Sequence, residues 1–190
     1  MAETVATTER LRLVGWTDAR RTEFARVTNT PAVMRWLGGV ADPARMAAAL
    51  GRIAGFERDF GHTFWVVERL SDDALLGFCG LKRVNAPGGE ALHGQFEVGW
   101  RLREDAWGKG YAREAATASL DLAFGRFEAP FVLALTVAGN TASQTLMRRL
   151  GMERAAQLDF VDTRFTDPGE LNPTVVHRID AERWTAAASR

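Results

Sequence analysis

The sequence contains little that would hold a fold together through covalent or metal bonds. Cys79 is the single cysteine among 190 residues, so no internal disulfide can form, and a reducing cytoplasm is the expected location. The three histidines have no metal-ligand spacing with one another or with Cys79, and we expect no metal cofactor. A chain of this length can bury roughly 70% of its unfolded surface without such links.

Excess charge and long hydrophobic runs are also missing. The 24 Lys and Arg residues balance 24 Asp and Glu residues, so the chain has no general electrostatic attraction for nucleic acid or anionic membranes. No stretch approaches the roughly 18 apolar residues of a membrane span, and the first ten residues lack a secretory signal pattern. We therefore expect a cytoplasmic protein with neither nucleic acid nor membrane as partner.

The spacing of apolar residues predicts one α+β domain over residues 1–190, with a central mixed, mostly antiparallel sheet flanked by helices. About seven strands are predicted, at residues 8–16, 62–69, 75–84, 95–102, 131–137, 152–161 and 175–181. Helices are predicted from residue 18, 31, 43, 111 and 141 onward. The helix between the fourth and fifth strands implies a right-handed parallel crossover.

Two glycines, Gly108 and Gly110, lie between the fourth predicted strand and the helix that follows it. Glycine lets backbone N–H groups approach a ligand closely, and the start of a helix adds positive charge. The pattern is compatible with a cradle for a pyrophosphate. Considered alone, it is more typical of a tight turn from strand to helix.

Polar residues occupy one face of the fourth predicted strand. Gln95, Glu97, Gly99 and Arg101 alternate with an apolar set, Phe96, Val98, Trp100 and Leu102. Burying a carboxylate such as Glu97 in a central strand is unfavourable unless it is solvated or partnered, which makes this face either the lining of a cleft or the solvated side of an exposed sheet.

A second polar group follows the fifth predicted strand, at Asn140 and Ser143. Asn140 is a suitable helix cap, and Ser143 is then a first-turn residue. The order of elements adds a second interpretation. The glycine loop and this helix start both lie at the carboxyl ends of neighbouring parallel strands, where open sheets bind ligands.

In their order along the chain, these motifs resemble the GNAT superfamily of acyl-CoA N-acyltransferases, and more narrowly its ribosomal-protein N-acetyltransferase (Rim-type) branch. The resemblance covers about half of the chain, and it rests on Phe96-Glu97-Val98-Gly99-Trp100-Arg101-Leu102, on Trp107-Gly108-Lys109-Gly110-Tyr111-Ala112 with Glu114-Ala115, and on Asn140 with Ser143 and Leu150-Gly151-Met152. It implies a sheet that is splayed between the fourth and fifth predicted strands, with acetyl-CoA in the opening.

The resemblance also implies which residues bind acetyl-CoA, the co-substrate. Backbone N–H groups of the loop that starts at Trp107 would bind its pyrophosphate, principally at Gly108, Gly110, Tyr111 and Ala112, with added charge from Lys109 and Arg113. The pantetheine arm would pair with the backbone at Trp100, Arg101 and Leu102, as an added strand does. Asn140 and Ser143 would orient the pantetheine or the acetyl group.

The reaction that the resemblance implies is direct attack of a primary amine on the thioester in a ternary complex. Glu97 matches the general base of many such enzymes, acting through water. The tyrosine that serves as acid in other branches is absent from the region that carries Leu146 and Met147, so Ser143 is the candidate acid or thiolate hydrogen-bond donor.

The acceptor is left open among protein N-termini, amino acids, polyamines and aminoglycosides. His93, Trp36 and Phe165, with Asp167 in the same late loop as Phe165, are candidates for lining the acceptor pocket. Two alternatives remain: a transferase that uses a longer acyl-CoA, and a non-catalytic acyl-CoA sensor. Apolar surface on the late strands would support a homodimer.

Overall fold

The computed structural model describes residues 3–165 and 169–188. Within these residues it contains six α-helices and nine strands, arranged in two compact units. The first unit contains the chain up to residue 82 together with Gly99–Ser119, and the second contains Arg83–Val98 together with the described residues after 119. No helix in these described ranges is both long and apolar enough to cross a membrane.

The first unit is an antiparallel meander with helices packed on it. Its elements are β1 (Thr4–Thr7), β2 (Leu11–Val14), α1 (Asp18–Thr28), α2 (Pro31–Met34), α3 (Pro43–Phe60), β3 (Phe64–Arg69), β4 (Leu75–Arg83), β5 (Phe96–Leu102) and the start of α4 (Tyr111–Gly125). The strands are hydrogen-bonded in the order β1, β2, β3, β4 and then the C-terminal part of β5. Their shared core includes Val14, Phe24, Met46, Ile53 and Phe78.

Local sequence sets the ends of the longest helix in this unit. The Asp42 side chain accepts a hydrogen bond from the Arg45 N–H, and Pro43 occupies the first helical position, where its missing N–H costs nothing. Gly61 ends α3 in the left-handed conformation, with φ 70°.

The second unit is organised around its last strand. Its elements are the N-terminal part of β5, the rest of α4, β6 (Phe131–Val137), α5 (Thr141–Arg149), β7 (Glu153–Arg154), β8 (Phe160–Val161), β9 (Pro173–Asp180) and α6 (Ala181–Ala188). β9 pairs antiparallel with β6, β7 and β8. β5 and β6 are parallel and share one pair of Cα partners, Glu97 and Leu133, so the sheet is splayed there.

The predicted fold class is confirmed: the protein is α+β, with a mixed, open and splayed sheet flanked by helices. Two predicted strands are shorter than expected. Residues 8–16 do not form one strand, because Thr8 turns the chain between β1 and β2, with its N–H bonded to the Leu11 carbonyl at 2.8 Å. Residues 152–161 form β7 and β8, which are separated by a 3₁₀ turn at Ala156–Leu158. Helix α6 was not predicted from the sequence.

Candidate functional site

The loop between β5 and α4 has a backbone that glycine alone adopts easily. Gly108 and Gly110 have φ values of 70° and 82°, in the left-handed region that disfavours side chains. A Cβ added at Gly108 would meet no atom within 4 Å. Conformation, rather than crowding by the protein, is therefore what requires glycine at this position.

The same loop presents a continuous row of backbone donors. Within the described part of the chain, the N–H groups of residues 108–113 donate no hydrogen bond, and the first helical bond of α4 runs from the Glu114 N–H to the Gly110 carbonyl at 3.1 Å. Free N–H groups at a helix start, together with the helix dipole, form an anion site. Lys109 and Arg113 are exposed and add positive charge. These residues fit the pyrophosphate of a CoA molecule.

Contacts from the turn between β1 and β2 hold the loop in place. The Arg10 guanidinium donates to the Lys109 carbonyl at 3.0 Å and to Glu114 Oε2 at 2.7 Å, and it lies 4.7 Å from the centroid of the Tyr111 ring. Thr8 Oγ1 donates to Glu114 Oε1 at 2.6 Å. Neither Arg10 nor Thr8 was predicted to take part in the site, because a pairing about a hundred residues apart leaves no local pattern in the sequence.

Glu114 is ionised at neutral pH in this arrangement. Burial raises its pKa, but the hydrogen bonds from Thr8 and Arg10 outweigh burial, so that the pKa is lowered overall. A carboxyl group whose pKa is lower in the folded state stabilises the fold above its unfolded pKa of about 4.3, and that stabilisation is lost as the pH falls through the folded pKa.

We therefore expect Glu114→Gln to lower the free energy of unfolding at pH 7 by about 1 kcal/mol, a modest value because water screens the partly exposed Arg10. Urea unfolding at pH 7 and at about pH 3 measures the effect, which should shrink at the lower pH. Glu104→Gln, which changes an exposed glutamate in the same connection, is the matched control and should have no effect. An equal loss of stability at both pH values would contradict this account of Glu114.

The C-terminal half of β5 is tightly packed in the first unit. Gly77 permits close approach, since a Cβ there would lie 2.0 Å from the Arg101 carbonyl oxygen. A Cβ on Gly99 would lie 2.8 Å from Cζ of Phe64, so an aromatic ring covers the predicted polar face at this position. Trp100 is half-buried and Leu102 is buried. The Trp107 indole N–H donates to the Leu102 carbonyl at 2.9 Å and joins the loop to the strand end.

Three of the predicted residues lie in the second unit, on β5 and at the start of α5. Glu97 is 8% exposed and is in parallel register with Leu133. The Asn140 side chain caps α5, accepting from the Ser143 N–H at 3.3 Å and donating to Thr136 Oγ1 at 3.1 Å. Ser143 is half-buried in the first turn of α5. Asn140 is therefore a helix cap, as one of its two interpretations predicted.

The residues expected at an acceptor pocket fall in both units. His93 is exposed, with its ring Nε2 3.0 Å from the Ala86 carbonyl oxygen. The half-buried Phe165 is in the same unit as His93, and Asp167 lies outside the described residues. Trp36 belongs to the first unit, in a 3₁₀ turn after α2, with the Arg35 guanidinium 4.5 Å from its ring centroid.

No group of three or more His, Cys, Asp or Glu residues that could hold a metal ion occurs within residues 3–165 and 169–188. Burial raises the pKa of the Cys79 thiol to about 12. Cys79 is therefore a protonated, buried thiol at neutral pH, as expected for a small apolar residue.

Comparison with known proteins identifies relatives along most of the chain. Residues 10–153 match the family model described as "Acetyltransferase (GNAT) domain". Protein YkkB of Bacillus subtilis (strain 168) is 30% identical over 152 residues, which are 80% of this chain and 86% of YkkB.

Two solved structures from Vibrio cholerae share the fold. A spermidine N-acetyltransferase in complex with CoA and spermine has a TM-score of 0.72 and 16% identity, and the match covers 94% of this chain and 99% of that one. A ribosomal-protein-serine acetyltransferase-like protein has a TM-score of 0.69 and 18% identity, with 92% and 95% of the two chains covered.

Proposed function

Because the chain belongs to the GNAT acetyltransferase family, we propose that it transfers an acetyl group from acetyl-CoA to a primary amine by direct attack in a ternary complex. Enzymes of this family use an acyl-CoA donor, which makes the chain an acyl-CoA-dependent transferase. Within that class of enzyme, acetyl is the proposed transferred group and a primary amine is the proposed acceptor.

The main support for this proposal is the loop at residues 108–113. Its backbone N–H groups are free to bind an anion within the described part of the chain, and its two glycines keep the approach open. In the proposed complex, these N–H groups bind the pyrophosphate of CoA, and Lys109 and Arg113 contribute positive charge. The backbone at Trp100, Arg101 and Leu102 would pair with the pantetheine arm. CoA in the solved spermidine N-acetyltransferase complex supports this donor.

We assign Glu97 and Ser143 to the two proton-transfer sites of the reaction, at the attacking amine and at the departing thiolate. The neutral amine attacks the thioester carbonyl, a C–N bond forms, and the C–S bond breaks as the tetrahedral intermediate collapses. Glu97 receives the proton of the amine through a water molecule. The departing thiolate accepts a hydrogen bond from the Ser143 hydroxyl, or a proton that this hydroxyl relays from water, and Asn140 holds the turn that carries this serine. No residue is acylated, since the only thiol is buried and protonated.

The test is titration of acetyl-CoA into the purified protein by calorimetry, followed by a free-thiol assay with a panel of primary amines. We expect binding of acetyl-CoA and thiol release that depends on the amine. Binding without release by any amine would favour the acyl-CoA sensor, and release with a longer acyl-CoA in preference to acetyl-CoA would assign the other donor. No binding at all would overturn the proposal.

A further inference from the structure

The Arg10 guanidinium contacts the loop before α4 through all three of its nitrogens. Its Nη1 donates to the Lys109 carbonyl at 3.0 Å, its Nε donates to Glu114 Oε2 at 2.7 Å, and its Nη2 lies 2.6 Å from the same carboxylate oxygen. The centroid of the Tyr111 ring is 4.7 Å away. Arg10 and all of these partners belong to the first unit, so the arrangement is complete within that unit.

The bond to the Lys109 carbonyl sets the direction of the next backbone N–H. The peptide between Lys109 and Gly110 is trans, and in a planar trans peptide the C=O and the N–H point in opposite directions. Because Arg10 holds the carbonyl on the side of the β1–β2 turn, the Gly110 N–H points to the opposite side. That N–H donates no hydrogen bond within the described part of the chain, and Gly110 is exposed. It is therefore available to a ligand outside the loop.

Gly110 also packs directly against the guanidinium. A Cβ added at this glycine would lie 3.3 Å from Nη2 of Arg10, and its φ is 82°. At Gly108, by contrast, an added Cβ would meet no atom within 4 Å. The conformation favours glycine at both positions, but only at Gly110 does the glycine also allow the backbone to lie against Arg10.

The charge of Arg10 is already balanced. Glu114 is ionised at neutral pH, and it forms an ion pair with the guanidinium. The exposed Lys109 and Arg113 remain as the positive charges that attract an anion. The effect of Arg10 on a bound anion is therefore expected to act through the orientation of the backbone rather than through long-range attraction.

We propose that Arg10 is a positioning residue of the donor site: it holds the Lys109 carbonyl so that the Gly110 N–H is directed at the pyrophosphate of acetyl-CoA. This inference rests on the proposed use of acetyl-CoA. A donor group that is already oriented lowers the cost of ordering the loop on binding. Arg10 should therefore favour donors that contain the pyrophosphate over donors that end at the pantetheine.

The test compares acetyl-CoA with S-acetylpantetheine, which lacks the pyrophosphate and the nucleotide. Both are titrated into isotope-labelled protein by NMR, and calorimetry gives a second dissociation constant for acetyl-CoA. Arg10→Gln should raise the dissociation constant of acetyl-CoA by about tenfold, the effect of about one hydrogen bond to a charged group. The constant for S-acetylpantetheine should change by less than about twofold, since it has no phosphate to accept this N–H. Equal weakening of both donors would indicate a general structural role and overturn the inference.

The backbone amide of Gly110 reports the orientation itself. In the wild type, its proton signal should move downfield when acetyl-CoA is added, because the N–H then donates to a phosphate oxygen. The movement should be smaller in Arg10→Gln at saturating acetyl-CoA. A Gly110 signal that moves equally in both proteins, or in neither, would overturn the inference.

Arg10→Gln leaves Glu114 without its cation, so repulsion of the phosphates must be separated from lost orientation. The double variant Arg10→Gln/Glu114→Gln removes both charges and should still bind acetyl-CoA about tenfold more weakly than the wild type. Recovery of wild-type affinity would assign the effect to charge and overturn the inference. If Arg10→Gln does not fold, Arg10→Lys decides. It keeps the charge but offers one nitrogen in place of three, so it should weaken acetyl-CoA binding more than S-acetylpantetheine binding.

Arg12→Gln is the matched control. Arg12 lies on β2 and is also paired with carboxylates, Glu68 at 2.7 Å and Asp73 at 2.9 Å, neither of which belongs to the loop. Its substitution removes a paired arginine close to the same turn, and the dissociation constant of acetyl-CoA should stay within about twofold of wild type. Weakening as large as that of Arg10→Gln would overturn a specific role of Arg10.

The outcomes separate this inference from the proposed function. Acetyl-CoA binding that depends on Arg10, without transfer to any amine, would support the positioning role while the transferase proposal fails. Acetyl transfer by a protein whose acetyl-CoA affinity is unchanged in Arg10→Gln would overturn the positioning role alone. A wild-type protein that does not bind acetyl-CoA would overturn both.

Discussion

Glu97→Gln is expected to lower kcat for acetyl transfer by about 10²–10⁴-fold, the usual contribution of a general base. The amide of glutamine has almost the shape of the carboxylate but cannot accept the proton of the attacking amine. The affinity for acetyl-CoA should stay within about twofold of wild type, since removal of a base acts on the transition state rather than on donor binding. The free-thiol assay gives kcat, and calorimetry gives the dissociation constant.

Comparison with a second glutamate excludes a general effect of lost charge. Glu182 is exposed on α6, in the same unit as Glu97, and Glu182→Gln should have wild-type turnover. Unchanged turnover in Glu97→Gln would remove Glu97 as the base. A fall in both turnover and acetyl-CoA affinity would assign it a structural role instead. A fall in turnover alone is the result that distinguishes an enzyme from a binding module.

Features that depend on local sequence could be predicted well. The run at residues 131–137, which is apolar except for Thr136, is β6 with the same ends, because a largely apolar run of this length favours a mostly buried strand. The Asp42-Pro43 start of α3 and the positive φ values of Gly108 and Gly110 also follow from local backbone preferences. The motifs in order indicated the GNAT family, which the comparisons confirm.

Features that depend on distant partners could not be predicted. Arg10 falls within the strand predicted at residues 8–16, and nothing in that segment indicated its contacts with Lys109, Tyr111 and Glu114. The face of β5 that bears Arg101 looked polar in sequence, but Phe64, Phe78 and Phe24 of the first unit cover it. Alternation gives the side of a strand on which a residue lies, whereas tertiary packing decides what covers that side. The roles of Glu97 and Ser143 stay predictions.

Gly108→Ala is expected to raise the dissociation constant for acetyl-CoA by about 10–100-fold, or about 1.4–2.8 kcal/mol. The φ of 70° at this position costs an alanine about 1–2 kcal/mol, and the loop can relieve that strain only by turning its N–H groups away from the bound pyrophosphate. A Cβ at residue 108 would meet no protein atom within 4 Å, so the loss of affinity is expected from the backbone and not from a clash within the protein.

Gly61→Ala is a closely matched control for this substitution. Gly61 also has a φ of 70°, and a Cβ there would also meet no atom within 4 Å, but it ends α3 and takes no part in the loop. Thermal unfolding should show similar losses in both variants, of a few degrees for about 1 kcal/mol, while only Gly108→Ala should bind acetyl-CoA more weakly in calorimetry. If both variants bind it as wild type does, the connection between β5 and α4 is only a turn, and the pyrophosphate must be bound elsewhere.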